Sequence, residues 1–275
     1  MHDCWAYTGH CSYYSYVECN KWETHCEECP QLNKYPKSVG FDNSYYNFEM
    51  KKESFKGINN LRIITPSHWL AGELSRSFLN SYIISIIHNG IDLEVFKPKE
   101  SEFKERYGIK NKKVILGVAN VWDERKGLNT FLEISNQLKD NEIIVLVGIE
   151  LGDHPNIISL KRTNSLDELV DIYSAADVFL NPTLEDNFPT VNLEAIACGL
   201  PVVTFDSGGS KETIDSELSK VLTNPKLNEI LQSINELLEQ RINKIELREH
   251  TLKYFDKKIM LNQYIDLYMD KNKFY

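Results

Sequence analysis

The stretch Asn181-Pro182-Thr183-Leu184-Glu185-Asp186-Asn187-Phe188-Pro189-Thr190-Val191-Asn192-Leu193-Glu194-Ala195-Ile196-Ala197-Cys198-Gly199-Leu200-Pro201-Val202-Val203 decides the fold. An apolar run at 177–181 reads as a strand, and 190–198 as a helix. Pro189 falls at the helix's first turn, where a missing N–H costs nothing, and Gly199 falls where a left-handed residue is wanted after the last turn. Pro201 prevents continuation, and Val202-Val203 opens the next strand. Strand, loop, helix and strand in this order are the repeating unit of a parallel sheet covered by helices. A helix entered from the carboxyl end of a strand aims its free N–H groups at the crevice where open α/β sheets bind ligands. Glu185, Asp186, Asn187, Phe188, Pro189 and Thr190 are therefore expected to line a site for something anionic or polyhydroxylated.

The same alternation extends in both directions. Downstream, helices are expected near 226–240, 244–254 and 257–270. Upstream, strands are expected at 114–119, 143–147 and 157–160, with helices at 128–138 and 166–176. A turn at Asn89-Gly90-Ile91-Asp92 separates this unit from an earlier one with strands at 61–65 and 83–87 and helices at 46–58 and 69–79. The predicted fold class is α/β: a Rossmann-like parallel-sheet domain preceded by a partial, Cys-rich α/β domain. The expected boundaries are 1–88, 89–255, and a C-terminal helix over 256–275 returning toward the first domain. Two strands alone would leave unpaired edges, and the helix face of Trp69, Leu70 and Leu74 is expected to be partly uncovered.

Composition narrows the function. With 42% apolar and 26% charged residues the chain is ordinary for a globular protein. A net charge of −9 argues against nucleic acid as a partner, since phosphate contacts need clustered Lys and Arg. The longest apolar run is too short to span a bilayer. The N-terminus lacks the basic and apolar regions of a signal peptide, so a cytoplasmic location with reduced thiols is expected.

The segment from Asp186 to Glu194 resembles the acid-x7-Glu signature of glycosyltransferase family 4, which has the two-domain GT-B fold. The resemblance extends over about 60–270 and includes Asn89-Gly90-Ile91-Asp92, which is similar to the family's interdomain hinge. It implies that Glu194 holds the donor ribose and that Asp186, with the backbone of 187–190, holds the sugar. The family usually has Glu at the first acidic position; here Asp186 stands there with Glu185 beside it. Arg125-Lys126-Gly127 resembles the basic motif that holds the diphosphate, although the family's additional Arg has no match at Asn120-Val121. An Arg fork and a Lys point charge together suit a diphosphate. The resemblance also implies that Arg162 follows the strand where the nucleotide base packs, with surface charge the default reading of its side chain, and that His2 matches a His near the reacting sugar. Family members carry further strands and a Gly-rich loop ahead of that His, so the first domain is expected to be partial.

Five of the six cysteines lie in the first thirty residues. Cys11, Cys19, Cys26 and Cys29 offer a tetrahedral zinc site, with His2, His10 and His25 as alternative ligands; buried free thiols are the competing reading. Trp5, Tyr7, Tyr13, Tyr14, Tyr16 and Trp22 read as local core.

The resemblance implies retaining transfer of a sugar from a nucleotide-diphosphate sugar to a hydroxyl of a glycan or lipid-linked acceptor. Capsule, exopolysaccharide or lipopolysaccharide synthesis at the inner face of the cytoplasmic membrane is the expected setting, with peripheral membrane association. No cofactor is expected for the chemistry, and zinc only as a structural ion. The alternatives are a truncated, non-catalytic nucleotide-sugar-binding protein and an epimerase acting on the nucleotide sugar itself.

Overall fold

The computed structural model describes residues 1–214 and 217–269. The chain divides into two compact units: Met1–His88 with the residues from Leu261 onward, and Asn89–Met260.

In the first unit, residues 1–43 contain only three short 3-10 turns, at Trp5–Tyr7, Ser15–Val17 and Lys21–Glu23. Helix α1 (Ser44–Phe55) follows, starting earlier than expected because the Asp42 carboxylate accepts the Ser44 N–H at 2.8 Å. Strand β1 (Arg62–Thr65), helix α2 (His68–Arg76) and strand β2 (Ile83–Ile86) complete it, the strands pairing in parallel with each other alone among the described residues. Ser67 caps α2 by accepting the Leu70 N–H at 3.1 Å.

The expected uncovered face of α2 is corrected by the structure. Leu70 and Leu74 are fully buried, and Trp69 is partly buried against the same cluster. The covering layer is the Cys-rich segment itself. Tyr7, Tyr14, Trp22, Cys4, Cys11 and Cys26 join Phe48, Ile63 and Leu79 in one core. The ring of Trp22 lies 5.3 Å from that of Tyr7 and 4.8 Å from that of Tyr14, close enough for aromatic contact. Tyr14 donates to Glu73 Oε2 at 2.6 Å, which satisfies the buried hydroxyl and ties the segment to α2. Of the six aromatic residues expected as local core, Tyr7, Tyr14 and Trp22 are buried in it; Tyr13 is half-buried, and Trp5 and Tyr16 are exposed, which corrects the expectation for those two.

Among its described residues the second unit holds six strands: β3 (Lys113–Val118), β4 (Glu142–Val147), β5 (Ile157–Leu160), β6 (Val178–Asn181), β7 (Val202–Phe205) and β8 (Lys220–Leu222). All pair in parallel, in the order β5-β4-β3-β6-β7-β8. Their side chains divide with period two. Val114 and Leu116 join one core cluster and Ile115 the other, while Phe179 is separated in the same way from Val178 and Leu180. A sheet buried on both faces needs such continuous apolar runs.

Its helices are the short α3 (Phe103–Arg106), α4 (Leu128–Ser135), α5 (Leu166–Ala175), α6 (Thr190–Ala197), α7 (Leu227–Glu239) and α8 (Lys244–Tyr254). Helix α9 (Lys257–Met269) runs from this unit into the first. Of the C-terminal segment expected over 256–275, residues 270–275 lie outside the described residues. The edge strand β8 and the helix α3 were not expected. β8 is three half-buried residues that begin with a lysine, and α3 is one turn, too short to show a period.

Candidate functional site

Strand order fixes where a ligand can enter. Successive strands step outward from β3 through β4 to β5, then from β6 in the opposite direction. At that reversal the chain leaves β3 and β6 toward opposite sides of the sheet, and a crevice is expected at their carboxyl ends. Residues 119–127 and 182–189 are these two loops.

The loops lie directly on one another. Gly127 adopts φ +74, and a Cβ there would meet the Pro182 carbonyl oxygen at 2.3 Å, so only glycine allows this approach. The Leu184 N–H donates to the Arg125 carbonyl at 2.8 Å across the same seam. Behind the second loop, Gly208 (φ +56) leaves no room for a side chain against the Asp186 carbonyl, which accepts the Gly209 N–H at 3.0 Å.

These contacts set the charged groups. Arg125 and Lys126 sit on a 3-10 turn (Glu124–Lys126) capped by Asp123, whose carboxylate accepts the Lys126 N–H at 3.0 Å. Lys126 Nζ reaches Asp186 Oδ2 at 2.5 Å, and Arg125 donates to the Glu185 carbonyl at 3.4 Å. The structure thus separates the neighbouring acids. Asp186 faces Lys126, whereas Glu185 is buried within its loop and presents its backbone. A cavity of about 390 Å³ gathers Arg125, Lys126, Asp186, Phe188, Pro189 and Thr190, with Trp122 on its wall. Two cations, a carboxylate and the amino end of α6 around one cavity are chemically suited to an anion with hydroxyl groups. A larger, open groove of about 1230 Å³ lies by α3 and α5. There Lys99 and Arg106 are paired with Asp167 and Asp171, and no strand end reaches it.

Glu194 stands on α6 one turn beyond Thr190, and its Oε2 accepts the Tyr173 hydroxyl at 3.0 Å. It is partly buried and does not line the 390 Å³ cavity. Burial raises its pKa above the usual glutamate value, outweighing the Tyr173 hydrogen bond. The Tyr173 hydroxyl is pushed well above its ordinary value by burial and then by the Glu194 charge. Asn187 is buried in the loop, and Arg162 is exposed just past β5, outside the cavity lining. His2 lies in the first unit, where burial and the terminal ammonium lower its pKa. Sequence reasoning missed Trp122, which donates to the Val147 carbonyl at 2.9 Å, and Tyr173, which reads as one more apolar residue on the inner face of α5. Only the pairing with Glu194, twenty-one positions away, reveals its polar role.

Among known proteins, the family described as "Glycosyl transferases group 1" matches residues 112–240. A Campylobacter jejuni N,N'-diacetylbacillosaminyl-diphospho-undecaprenol alpha-1,3-N-acetylgalactosaminyltransferase is 30% identical over 198 residues, 65% of this chain and 52% of that protein. The putative colanic acid biosynthesis glycosyl transferase WcaC of Escherichia coli K12 is 25% identical over 98% of this chain and 67% of its own length. The chain therefore spans between about half and two thirds of these relatives. Among solved structures, Anabaena Alr3699/HepE in complex with UDP-glucose superposes with a TM-score of 0.69 at 18% identity, over 81% of this chain and 67% of that one. No helix among the described residues is long and apolar enough to cross a membrane.

Proposed function

We infer that this chain, which matches the glycosyl transferases group 1 family through residues 112–240 and shares the GT-B fold, transfers a sugar from a nucleotide-diphosphate sugar to a hydroxyl acceptor. The observation that carries this reading is the Lys126–Asp186 pair, 2.5 Å apart beside the amino end of α6. In the free protein each charge satisfies the other. A donor exchanges both partners at once: its diphosphate takes Lys126 and Arg125, and its sugar hydroxyls donate to Asp186. Neither charge is left buried alone, the arrangement that costs most. The backbone N–H groups at the start of α6 add their partial positive charge, and Glu194 accepts from the ribose diol.

In the reaction the bond between the anomeric carbon and the diphosphate oxygen breaks. The acceptor oxygen bonds to the same face of that carbon, and the acceptor proton passes to the departing phosphate oxygen. Configuration is retained. Lys126, Arg125 and the α6 terminus act by stabilising charge as it develops on the leaving diphosphate. The acceptor is a glycan or lipid-linked hydroxyl of polysaccharide synthesis at the cytoplasmic membrane face; in support, one relative's name contains a diphospho-undecaprenol-linked sugar and the other's colanic acid biosynthesis.

A thermal-shift screen across nucleoside diphosphates identifies the base, because a ligand of the folded state stabilises it by mass action. Lys126→Ala should weaken diphosphate binding by about 1.5–3 kcal/mol, the scale of a hydrogen bond to a charged group, and leave the bare nucleoside unaffected. Equal binding of diphosphate by the variant and the parent would remove Lys126 from the site. Labelled donor with acceptor separates transfer from epimerisation and from binding alone.

A further inference from the structure

Residues 1–43 contain three 3-10 turns and no α-helix or strand, and Cys11, Cys19, Cys26 and Cys29 fall within them. None of the four is in a disulfide. Cys11 Sγ and Cys29 Sγ are 3.7 Å apart. A tetrahedron of sulfurs with metal bonds of about 2.3 Å has edges of about 3.8 Å, so this pair already forms one edge of such a site. Cys26 and Cys19 lie close enough to Cys11 to interact with it electrostatically.

Backbone donors surround the sulfurs. Gly9 N–H donates to Cys26 Sγ at 3.1 Å, and the Gln31 N–H is directed at Cys29. Such N–H groups do little for a neutral thiol but stabilise a thiolate. The Gly9 donor is held there by sterics: a Cβ on Gly9 would lie 2.6 Å from Cys26 Cβ and 2.1 Å from the Ser44 carbonyl oxygen. Glu28, inside Cys26-x2-Cys29, takes a left-handed φ of 45, which turns the two cysteines sharply about each other. Lys51 lies near Cys26 and Cys11, and Lys21 near Cys29, offsetting negative charge on the set.

We propose that Cys11, Cys19, Cys26 and Cys29 together bind one structural zinc ion. On binding, four thiols lose their protons to solvent and four Zn–S bonds form, with no change of oxidation state. No three of these sulfurs are mutually within 4.8 Å among the described residues, so binding closes the set by side-chain rotation around the Cys11–Cys29 edge. The ion takes the place that regular secondary structure holds elsewhere: it staples a segment whose own core is a few aromatic rings. The inference concerns the first unit and stands apart from the donor-site reading.

The test uses the full chain, purified without a His tag under reducing conditions and dialysed against zinc-free buffer. The expected result is close to one zinc per chain by elemental analysis, with four thiols shielded from alkylation until a chelator is added. Peptide mapping should place the shielding on Cys11, Cys19, Cys26 and Cys29. Cobalt exchanged for zinc should show a thiolate-to-metal charge-transfer band that weakens in Cys19→Ser. Should serine variants fail to fold, Cys29→His supplies a ligand that keeps the metal with an altered cobalt spectrum. Protein without zinc, zinc bound while these cysteines alkylate at the chelated rate, or a Cys11–Cys29 disulfide in metal-free protein would each overturn the proposal.

Discussion

The two units solve the same problem, closing a core, with different materials. In Asn89–Met260 six parallel strands bury Val, Ile, Leu and Phe on both faces, so each residue follows from a repeating pattern. In Met1–His88 a two-stranded sheet and two helices are completed by Tyr7, Tyr14, Trp22 and cysteines from a stretch with no repeat. A periodic core spreads its stabilisation over many interchangeable contacts. A core of a few large rings and sulfurs concentrates it on single residues.

The sharpest way to break this contrast is Trp22→Ala. Removing a fully buried aromatic that touches Tyr7 and Tyr14 should cost about 3–5 kcal/mol. The loss should fall on the first unit, seen as an earlier melting transition, with nucleotide affinity kept. An equal loss of affinity would show that the two cores are not separate. Glu194→Ala comes next: nucleotide-diphosphate binding should weaken by about 1.5–3 kcal/mol in calorimetry, and an unchanged Kd would end its ribose role.

Tyr173→Phe should cost less, about 1 kcal/mol in binding, because one hydrogen bond to the carboxylate is lost. That bond lowers the Glu194 pKa, so its removal raises the pKa further. Binding through ionised Glu194 should therefore fail at a higher pH in the variant as the solution is acidified. Superimposable pH profiles would show that the hydroxyl does not act on the carboxylate.

Stability runs the other way. The folded pKa of Glu194 is raised, so its ionised form is the one disfavoured by folding. That penalty grows as pH rises above the ordinary glutamate value of 4.5 and is absent below it. Glu194→Gln should melt slightly higher than the parent at neutral pH, and the gap should close below pH 4.5. A gap that persists in acid would have a cause other than charge burial. The smallest effect is expected from Arg162→Ala, an exposed change worth less than about 0.5 kcal/mol in stability. A marked loss of nucleotide binding in that variant would place the base against this side chain.

Legibility in the sequence followed the same divide. The β6–α6–β7 unit could be read from Pro189, Gly199, Pro201 and the flanking apolar runs, because caps and periodicity are local. The strand Lys220–Leu222 escaped because three partly buried residues carry no period. The covering of Leu70 and Leu74 escaped for a deeper reason: Tyr7 and Trp22, which share their core, lie roughly fifty to seventy residues away in a segment without pattern.

The candidate site shows what each level decides. Sequence alone determined that an acid at a helix mouth, a Glu one turn on and an adjacent Arg-Lys pair belong to one α/β unit, since spacing along a chain sets spacing along a helix or loop. It could not choose between Glu185 and Asp186, or show what holds Glu194. Which acid faces Lys126, and what Glu194 meets, come from contacts between distant segments: the Gly127 loop resting on Pro182, Gly208 beneath Asp186, Lys126 meeting Asp186 across sixty positions, and Tyr173 meeting Glu194. Which of two neighbouring carboxylates faces a cation depends on the direction of a side chain, and only the packing of the two loops at the strand switch point sets that direction.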